Sequence, residues 1–380
     1  MKICSLIPSL RSGGAESLVS MMSKLLAEGG HEVTIVNITG TSAPRNIQNC
    51  GERVKIINLN CSSKSPVGVL KFMRLYALNQ WDVVFSHLTP TLIHGAALKS
   101  IFPKATWHYV EHNPTTATMG MRKRRGLREL VTGQLYKLCN SIVCVSERPG
   151  LEYFQKFFPN FLNKVSVIHN GLDVRSVLRS AAGIEPLALR ERFDVPTDKI
   201  LAGIVGRLIP VKGHKRFLEA VALNRLSLDR FHFLIIGEGE LMTELKSLTE
   251  KLKISEMVTF TGNLSKPGEI YGLLDILLIT SLTEGLPIVL LEALALDKEI
   301  VSMDIGGIRE VIGRDSPSLV QPGDMGMFVS KLIRVAKFIS PGETTSKPLN
   351  NLVRTEMTLE KMCDKYLALV DSNSAVRRAA

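Results

Sequence analysis

At 380 residues and 45% hydrophobic content, the chain is long enough for two ordinary domains and apolar enough to give each a real core. Its six cysteines are scattered with no C-x-x-C pair, which argues against a zinc site and a disulfide framework and favours a reducing cytoplasm. The formal charge of +11, from 47 basic and 36 acidic residues, calls for an anionic partner: nucleic acid, a membrane surface or phosphorylated substrates.

In chain order, residues 2–8 read as a buried strand. They are too short, and too soon broken by Pro8 and Arg11, for a signal peptide. Gly13-Gly14-Ala15-Glu16 then opens a helix over 15–28, and paired glycines let a backbone approach a ligand closely and present its N–H groups. The motif is not G-x-G-x-x-G, which disfavours a dinucleotide cofactor. Apolar runs at 32–37, 54–59, 82–86, 106–111, 141–145 and 165–168 read as further parallel strands, with a helix over 91–99 and polar loops over 41–50 and 61–66. His112 directly follows one of these strands in Tyr109-Val110-Glu111-His112-Asn113, where a side chain could meet substrate. His108, inside the strand, is its rival.

Arg122, Lys123, Arg124, Arg125 and Arg128 form a dense basic cluster. Leu127, Leu130, Val131, Leu135, Tyr136 and Leu138 follow at helical spacings. That pattern fits an amphipathic helix lying on anionic lipid; a solvated basic turn before an ordinary core helix is the alternative. Nucleic acid is disfavoured, because no recognised binding motif accompanies the charge. Asn170-Gly171 closes this half, with Gly171 expected at an unusual φ.

The stretch 173–199, charged, free of strand runs and holding Pro186 and Pro196, reads as a linker. Alternation then restarts with strands at 201–206, 231–237, 257–261, 275–280 and 299–303. After the first comes Gly206-Arg207-Leu208-Ile209-Pro210-Val211-Lys212-Gly213, which is not a Walker loop. Two cations beside a helix start suit a diphosphate, Arg207 forking to two oxygens and Lys212 acting as a point charge. Gly237-Glu238-Gly239 follows the next strand and is expected near the ligand. Glu284-Gly285-Leu286-Pro287 precedes a helix that carries Glu292. Pro287 suits a first helical turn, and eight positions at 1.5 Å span roughly 12 Å. Two carboxylates so placed, beside an anion-favouring helix N-terminus, could hold two hydroxyl-bearing ends of one phosphate-linked ligand, such as a sugar nucleotide. Asp304-Ile305-Gly306-Gly307-Ile308-Arg309-Glu310 marks another turn into a helix. Residues 359–369 read as a last helix and 372–380 as a polar tail. No D-x-D pair occurs, so Arg207, Lys212 and helix dipoles, not a metal, are expected to neutralise a leaving diphosphate.

Taken in order, Gly13-Gly14-Ala15-Glu16, Glu111-His112-Asn113, Val145-Ser146, Asn170-Gly171-Leu172-Asp173, Gly206-Arg207 with Lys212-Gly213, Gly237 and Gly239, Glu284-Gly285-Leu286-Pro287 with Glu292, and Gly306-Gly307 with Glu310 resemble glycosyltransferase family four, retaining enzymes of GT-B fold. The resemblance implies two Rossmann-like domains facing across a cleft. These would be an acceptor-binding domain over 1–172 and a nucleotide-sugar-binding domain over 173–356. A C-terminal helix over 357–371 would cross back to the first domain.

It implies a UDP- or GDP-sugar donor, no cofactor, and transfer to a saccharide or lipid-linked saccharide in lipopolysaccharide, capsule or exopolysaccharide synthesis, in the cytoplasm or on the inner face of its membrane. Arg207 and Lys212 would hold the diphosphate, with Glu284 on sugar hydroxyls, Glu292 on ribose hydroxyls, the backbone at Gly14 by the phosphates and His112 beside the reacting sugar. Transfer would retain configuration without a metal, a donor phosphate oxygen helping to deprotonate the acceptor. A non-catalytic sugar-nucleotide-binding subunit and another GT-B enzyme such as an epimerase are the rival readings. Two departures stand out: Leu296-Asp297-Lys298 where relatives commonly have Gly, and Arg309, expected to touch a phosphate or face solvent.

Overall fold

The computed structural model describes residues 1–112, 126–264, 266–341 and 351–378. The chain divides into two compact units: Met1–Gly171 with Leu359–Ala380, and Leu172–Thr358. The basic side chains at 122–128 lie outside the described residues.

In the first unit, β1 (Lys2–Ile7), β2 (Glu32–Asn37), β3 (Lys55–Asn58), β4 (Val83–His87), β5 (Trp107–Glu111), β6 (Ser141–Cys144) and β7 (Val165–Val167) form a parallel sheet in the order β3-β2-β1-β4-β5-β6-β7. In the second, β8 (Ile200–Val205), β9 (Phe231–Ile236), β10 (Val258–Gly262), β11 (Ile276–Ile279), β12 (Glu299–Met303) and β13 (Leu319–Val320) pair in the order β10-β9-β8-β11-β12-β13. Helices connect parallel strands and cover the sheet, so central strands such as β4 and β11 are buried along their whole length; β11 is apolar throughout, and β4 is apolar up to Ser86 and His87. In both sheets the order reverses beside the first strand, at β1/β4 and β8/β11. At such a reversal neighbouring connections diverge and leave a crevice at the strands' C-terminal ends.

The stretch 173–199 is part of the second unit, not a free tether. It forms helices Val174–Ala181, capped by Asp173, and Pro186–Arg192, both packed on the helix Pro267–Leu273. Arg190 fastens it to the sheet. Its fully buried guanidinium forks to Asp275 at 3.0 and 2.8 Å, and donates to the carbonyl of Lys199 at 2.9 Å. Asp275 also accepts the N–H of Leu201 at 2.8 Å, so one carboxylate ties the start of β11 to β8.

The last helix, Leu359–Arg378, belongs to the first unit, where Tyr366 meets Phe85 edge-on at 5.3 Å. Its backbone runs on through 372–378, the stretch read as a tail. Gly171 does not take the positive φ expected of it; its N–H donates to Met362 Sδ at 3.2 Å. Asp297 does adopt the left-handed conformation a glycine would favour, φ 52°, and Arg354 holds its carboxylate. β13 went unforeseen because two residues carry no periodicity.

Arg190→Met would remove the guanidinium that balances the buried Asp275 carboxylate. Breaking a buried pair from one side costs about 3–5 kcal/mol, so the second unit should unfold at markedly lower urea concentration. A loss below about 1 kcal/mol, the level of a surface pair, would show that the pair does not hold the helices to the sheet.

Candidate active site

Two loops leave the C-terminal ends of β8 and β11 and are stitched together. Thr280 Oγ1 donates to the Lys212 carbonyl at 2.8 Å, and the Leu282 N–H to the Val211 carbonyl at 2.8 Å. Between them, Lys212 Nζ donates to Glu284 Oε1 at 2.7 Å, and Ser281 Oγ donates to the same oxygen at 2.6 Å. Both charged side chains are largely but not wholly buried, 19% and 13% exposed, so their attraction is screened less than a surface pair's while a ligand can still reach them. Lys212 lies along Gly206, where a Cβ would stand 3.4 Å from Cε. Arg207 is exposed, and its guanidinium has no partner among the described residues. Beneath Lys212, His214 is buried at the start of its helix, and burial together with the Lys212 charge pushes its pKa down to about 4.

The glycines expected near a ligand have a closer reason to be glycines. A Cβ on Gly237 (φ 140°) would lie 2.0 Å from the Gly206 carbonyl oxygen, and one on Gly239 2.5 Å from that of Leu208. The 206–208 and 237–241 loops therefore pack backbone to backbone, with the Leu208 N–H donating to the Glu238 carbonyl at 2.9 Å. Gly306 allows a similar approach to the carbonyls of Glu284 and Gly285, and Gly307 N–H donates to Gly285 at 2.6 Å. Gly285, Leu286 and Pro287 are all buried, and Pro287 precedes the helix Ile288–Ala295 as its N-cap. Arg309 neither faces solvent freely nor stands ready for a phosphate: it pairs with Asp304. Glu292 is buried in the helix and accepts from the Tyr271 hydroxyl at 3.0 Å, which also holds the Val289 carbonyl.

In the first unit, His87 ends β4 and His112 follows β5, and the two rings meet. His87 Nδ1 and His112 Nε2 are 3.0 Å apart, both side chains are buried, and His87 Nε2 and His112 Nδ1 have no partner among the described residues. Burial lowers both pKa values, His112 to about 4 and His87 well below its usual range, the second aided by repulsion from His112. Two neutral imidazoles share one proton in their common bond, so of the two outer nitrogens one is a donor and the other an acceptor. Tyr109 donates to Glu111 at 2.8 Å behind them. His108 is core: its Nδ1 lies 2.6 Å from Ser141 Oγ and its ring stacks on Phe85. At the end of β1, the Glu16 carboxylate folds over Gly13, where a Cβ would fall 2.2 Å from Oε2, beside the N-terminus of the helix Gly14–Glu28.

Residues 12–176 match the family described as Glycosyltransferase Family 4, and residues 187–338 match Glycosyl transferases group 1. The chain belongs to this family. Among its relatives is the N-acetylgalactosamine-N,N'-diacetylbacillosaminyl-diphospho-undecaprenol 4-alpha-N-acetylgalactosaminyltransferase of Campylobacter jejuni, 28% identical over 84% of this chain and 85% of that one. Another is the UDP-Gal:alpha-D-GlcNAc-diphosphoundecaprenol alpha-1,3-galactosyltransferase of Escherichia coli, 29% identical over 72% of this chain and 70% of that one. The fold matches Anabaena HepE, solved with UDP and glucose, with TM-score 0.80, 17% identity, 98% coverage of this chain and 100% of that one. This glycosyltransferase therefore has a GT-B fold, two parallel-sheet α/β domains.

Three contacts of this glycosyltransferase's sites were not read from sequence: His87, Ser281 and Tyr271. His87 had a signal, a histidine one residue beyond an apolar run. Ser281 and Tyr271 had none, since neither belongs to a recurrent pattern.

Because the two imidazoles are neutral in the fold and ordinary in the unfolded chain, the unfolded state binds more protons between about pH 6.5 and 4. Stability of the first unit should fall as pH falls through that window. Replacing His112 by Phe should make the slope shallower by roughly 1–3 kcal/mol across it, read by denaturant titration at several pH values. Equal slopes for both proteins would mean that His112 takes up its proton as readily folded as unfolded.

Proposed function

We propose that this glycosyltransferase moves a sugar from a UDP- or GDP-sugar to a lipid-linked saccharide, with retention of configuration and without a metal, at the inner face of the cytoplasmic membrane. The observation that carries the donor assignment is the Lys212–Glu284–Ser281 cluster at the β8/β11 reversal, with Arg207 unpaired beside it. These four side chains sum to one positive charge, which suits a diphosphate. When the donor binds, Lys212 exchanges Glu284 for phosphate oxygens, and Glu284 keeps Ser281 as donor while its other oxygen accepts from sugar hydroxyls. Fixed cations of this kind act on the leaving diphosphate as preorganised charge. Glu292, oriented by Tyr271, would take the ribose hydroxyls, and the helix N-terminus at Gly14 would face the phosphates once Glu16 yields.

His112 would meet the reacting sugar through its outer nitrogen, as a neutral hydrogen-bonding group and not as a charged acid. The acceptor assignment draws on the relatives' names, both of which specify a diphosphoundecaprenol-linked saccharide. The basic cluster at 122–128 motivates the membrane clause.

Purified protein supplied with UDP- and GDP-sugars and a polyprenyl-diphosphate saccharide should form product of retained configuration by NMR, with undiminished rate in a chelator. Lys212→Ala and Glu284→Gln should each lower kcat about 100-fold or more, and Arg207→Ala should weaken donor binding in a thermal-shift titration. Full activity in both Lys212→Ala and Glu284→Gln would refute the site. Donor binding without turnover on any acceptor would favour the non-catalytic reading.

A further inference from the structure

Three helices of the first unit, Pro66–Asn79, Leu92–Ile101 and Leu127–Leu138, lie side by side, the middle one packed against both neighbours. Each turns apolar side chains outward. Leu70 and Leu78 are 67% and 73% exposed, Ile93 and Ile101 52% and 57%, Leu130 and Val131 55% and 53%. On the first helix the exposed positions 67, 70, 71, 74 and 78 fall three and four apart, which places them in one stripe along the helix. Adjacent exposed apolar stripes of this kind mark an interaction surface on a protein that otherwise buries such residues.

The charges on this face have one sign. Lys71 and Arg74 stand between Leu70 and Leu78, Lys104 follows the second helix, and Lys137 sits on the third, all exposed. The three helices contain a single acidic residue, Glu129, which is buried and turned inward to accept the Gly126 N–H at 2.8 Å. The sequence running into the third helix, Arg122-Lys123-Arg124-Arg125, is basic as well.

We propose that this three-helix face rests on an anionic bilayer, its leucines and isoleucines in the interface and its cations on the lipid phosphates. Long basic side chains flanking exposed apolar ones suit that boundary, since their stems lie along apolar surface while their heads reach phosphate. Each cation near an anionic surface adds about 1 kcal/mol. A second copy of the chain is a poor occupant, because a two-fold contact would set the same cations against each other. This surface deepens the membrane clause of the function proposed above and rests on that reading; it shares Leu130 and Val131 with the stretch that first suggested it and adds the exposed faces of two further helices.

The full chain should float with vesicles of phosphatidylglycerol and phosphatidylcholine, and not with phosphatidylcholine alone, with binding weakened by salt. Leu70→Gln with Leu78→Gln, and separately Arg74→Glu with Lys137→Glu, should each lower the vesicle-bound fraction at least about tenfold. UDP-induced thermal shift should stay that of wild type, which confirms that the variants fold. Equal binding to neutral and anionic vesicles, or unchanged binding in both variants, would overturn the proposal. So would concentration-dependent dimerisation abolished by Leu70→Gln with Leu78→Gln, which would make the face a self-interface. Intact vesicle binding in a protein that transfers no sugar would count against the enzymatic reading alone.

Discussion

The candidate donor site depends on the seam between β8 and β11. Their register pairs are 74 residues apart along the chain because the sheet order reverses there, and their ladder is short, Ile276 opposite Ala202 and Leu277 opposite Gly203. Side chains secure both ends of it. At the N-terminal end Asp275 holds Leu201 N–H and the Arg190 guanidinium. At the C-terminal end Thr280 holds the Lys212 carbonyl, and Lys212 reaches Glu284. The first clamp is buried, and its strength comes from several hydrogen bonds to one carboxylate and to backbone carbonyls in low dielectric. The second is partly open and its partners can be exchanged. A rigid base under a labile top is what positions a charge precisely and still lets a ligand claim it.

The two units share strand order but not chemistry. The reversal in the second unit gathers formal charges: a lysine, a carboxylate and an arginine with no partner among the described residues. The reversal in the first gathers neutral polar atoms on His87 and His112, whose protonation burial opposes. Charge suits a diphosphate, whereas an uncharged donor–acceptor pair suits hydroxyl groups, which both donate and accept. On the function proposed above, a division of labour between a donor-binding and an acceptor-side unit would follow from what each environment allows its side chains to be.

Much of this was legible in the sequence because parallel strands leave short apolar-rich runs, and twelve of the thirteen described strands were read that way. The glycine motifs were legible as positions, and Gly237 and Gly239 show the limit of reading them. Their sequence pattern is the same whether the close neighbour is a ligand or another loop, and here Gly206 and Leu208 are the neighbours. The 173–199 stretch read as a linker because short helices with charged ends look like one. What makes it structural is Arg190, whose partner Asp275 is 85 residues away. Long-range polar pairs of this kind have no local signature, and the same is true of Tyr271 with Glu292.

The proposed bilayer face and the first unit's polar pair are joined through the same elements. The helix Leu92–Ile101 begins five residues after His87, whose carbonyl accepts from Thr91 Oγ1 at 3.1 Å, and the helix Leu127–Leu138 follows the strand that ends at Glu111. The first of these helices therefore starts at the end of the sheet where His87 lies. A helix on the membrane is fixed in depth by how far its apolar side chains enter, to within a few ångströms. Lying on lipid would thus set the height of the His87–His112 edge above the headgroups. A saccharide on a polyprenyl diphosphate has its own height fixed by its anchor. On that proposal the membrane would do part of the work of substrate alignment, holding the acceptor sugar at the level of the imidazoles before any specific contact forms.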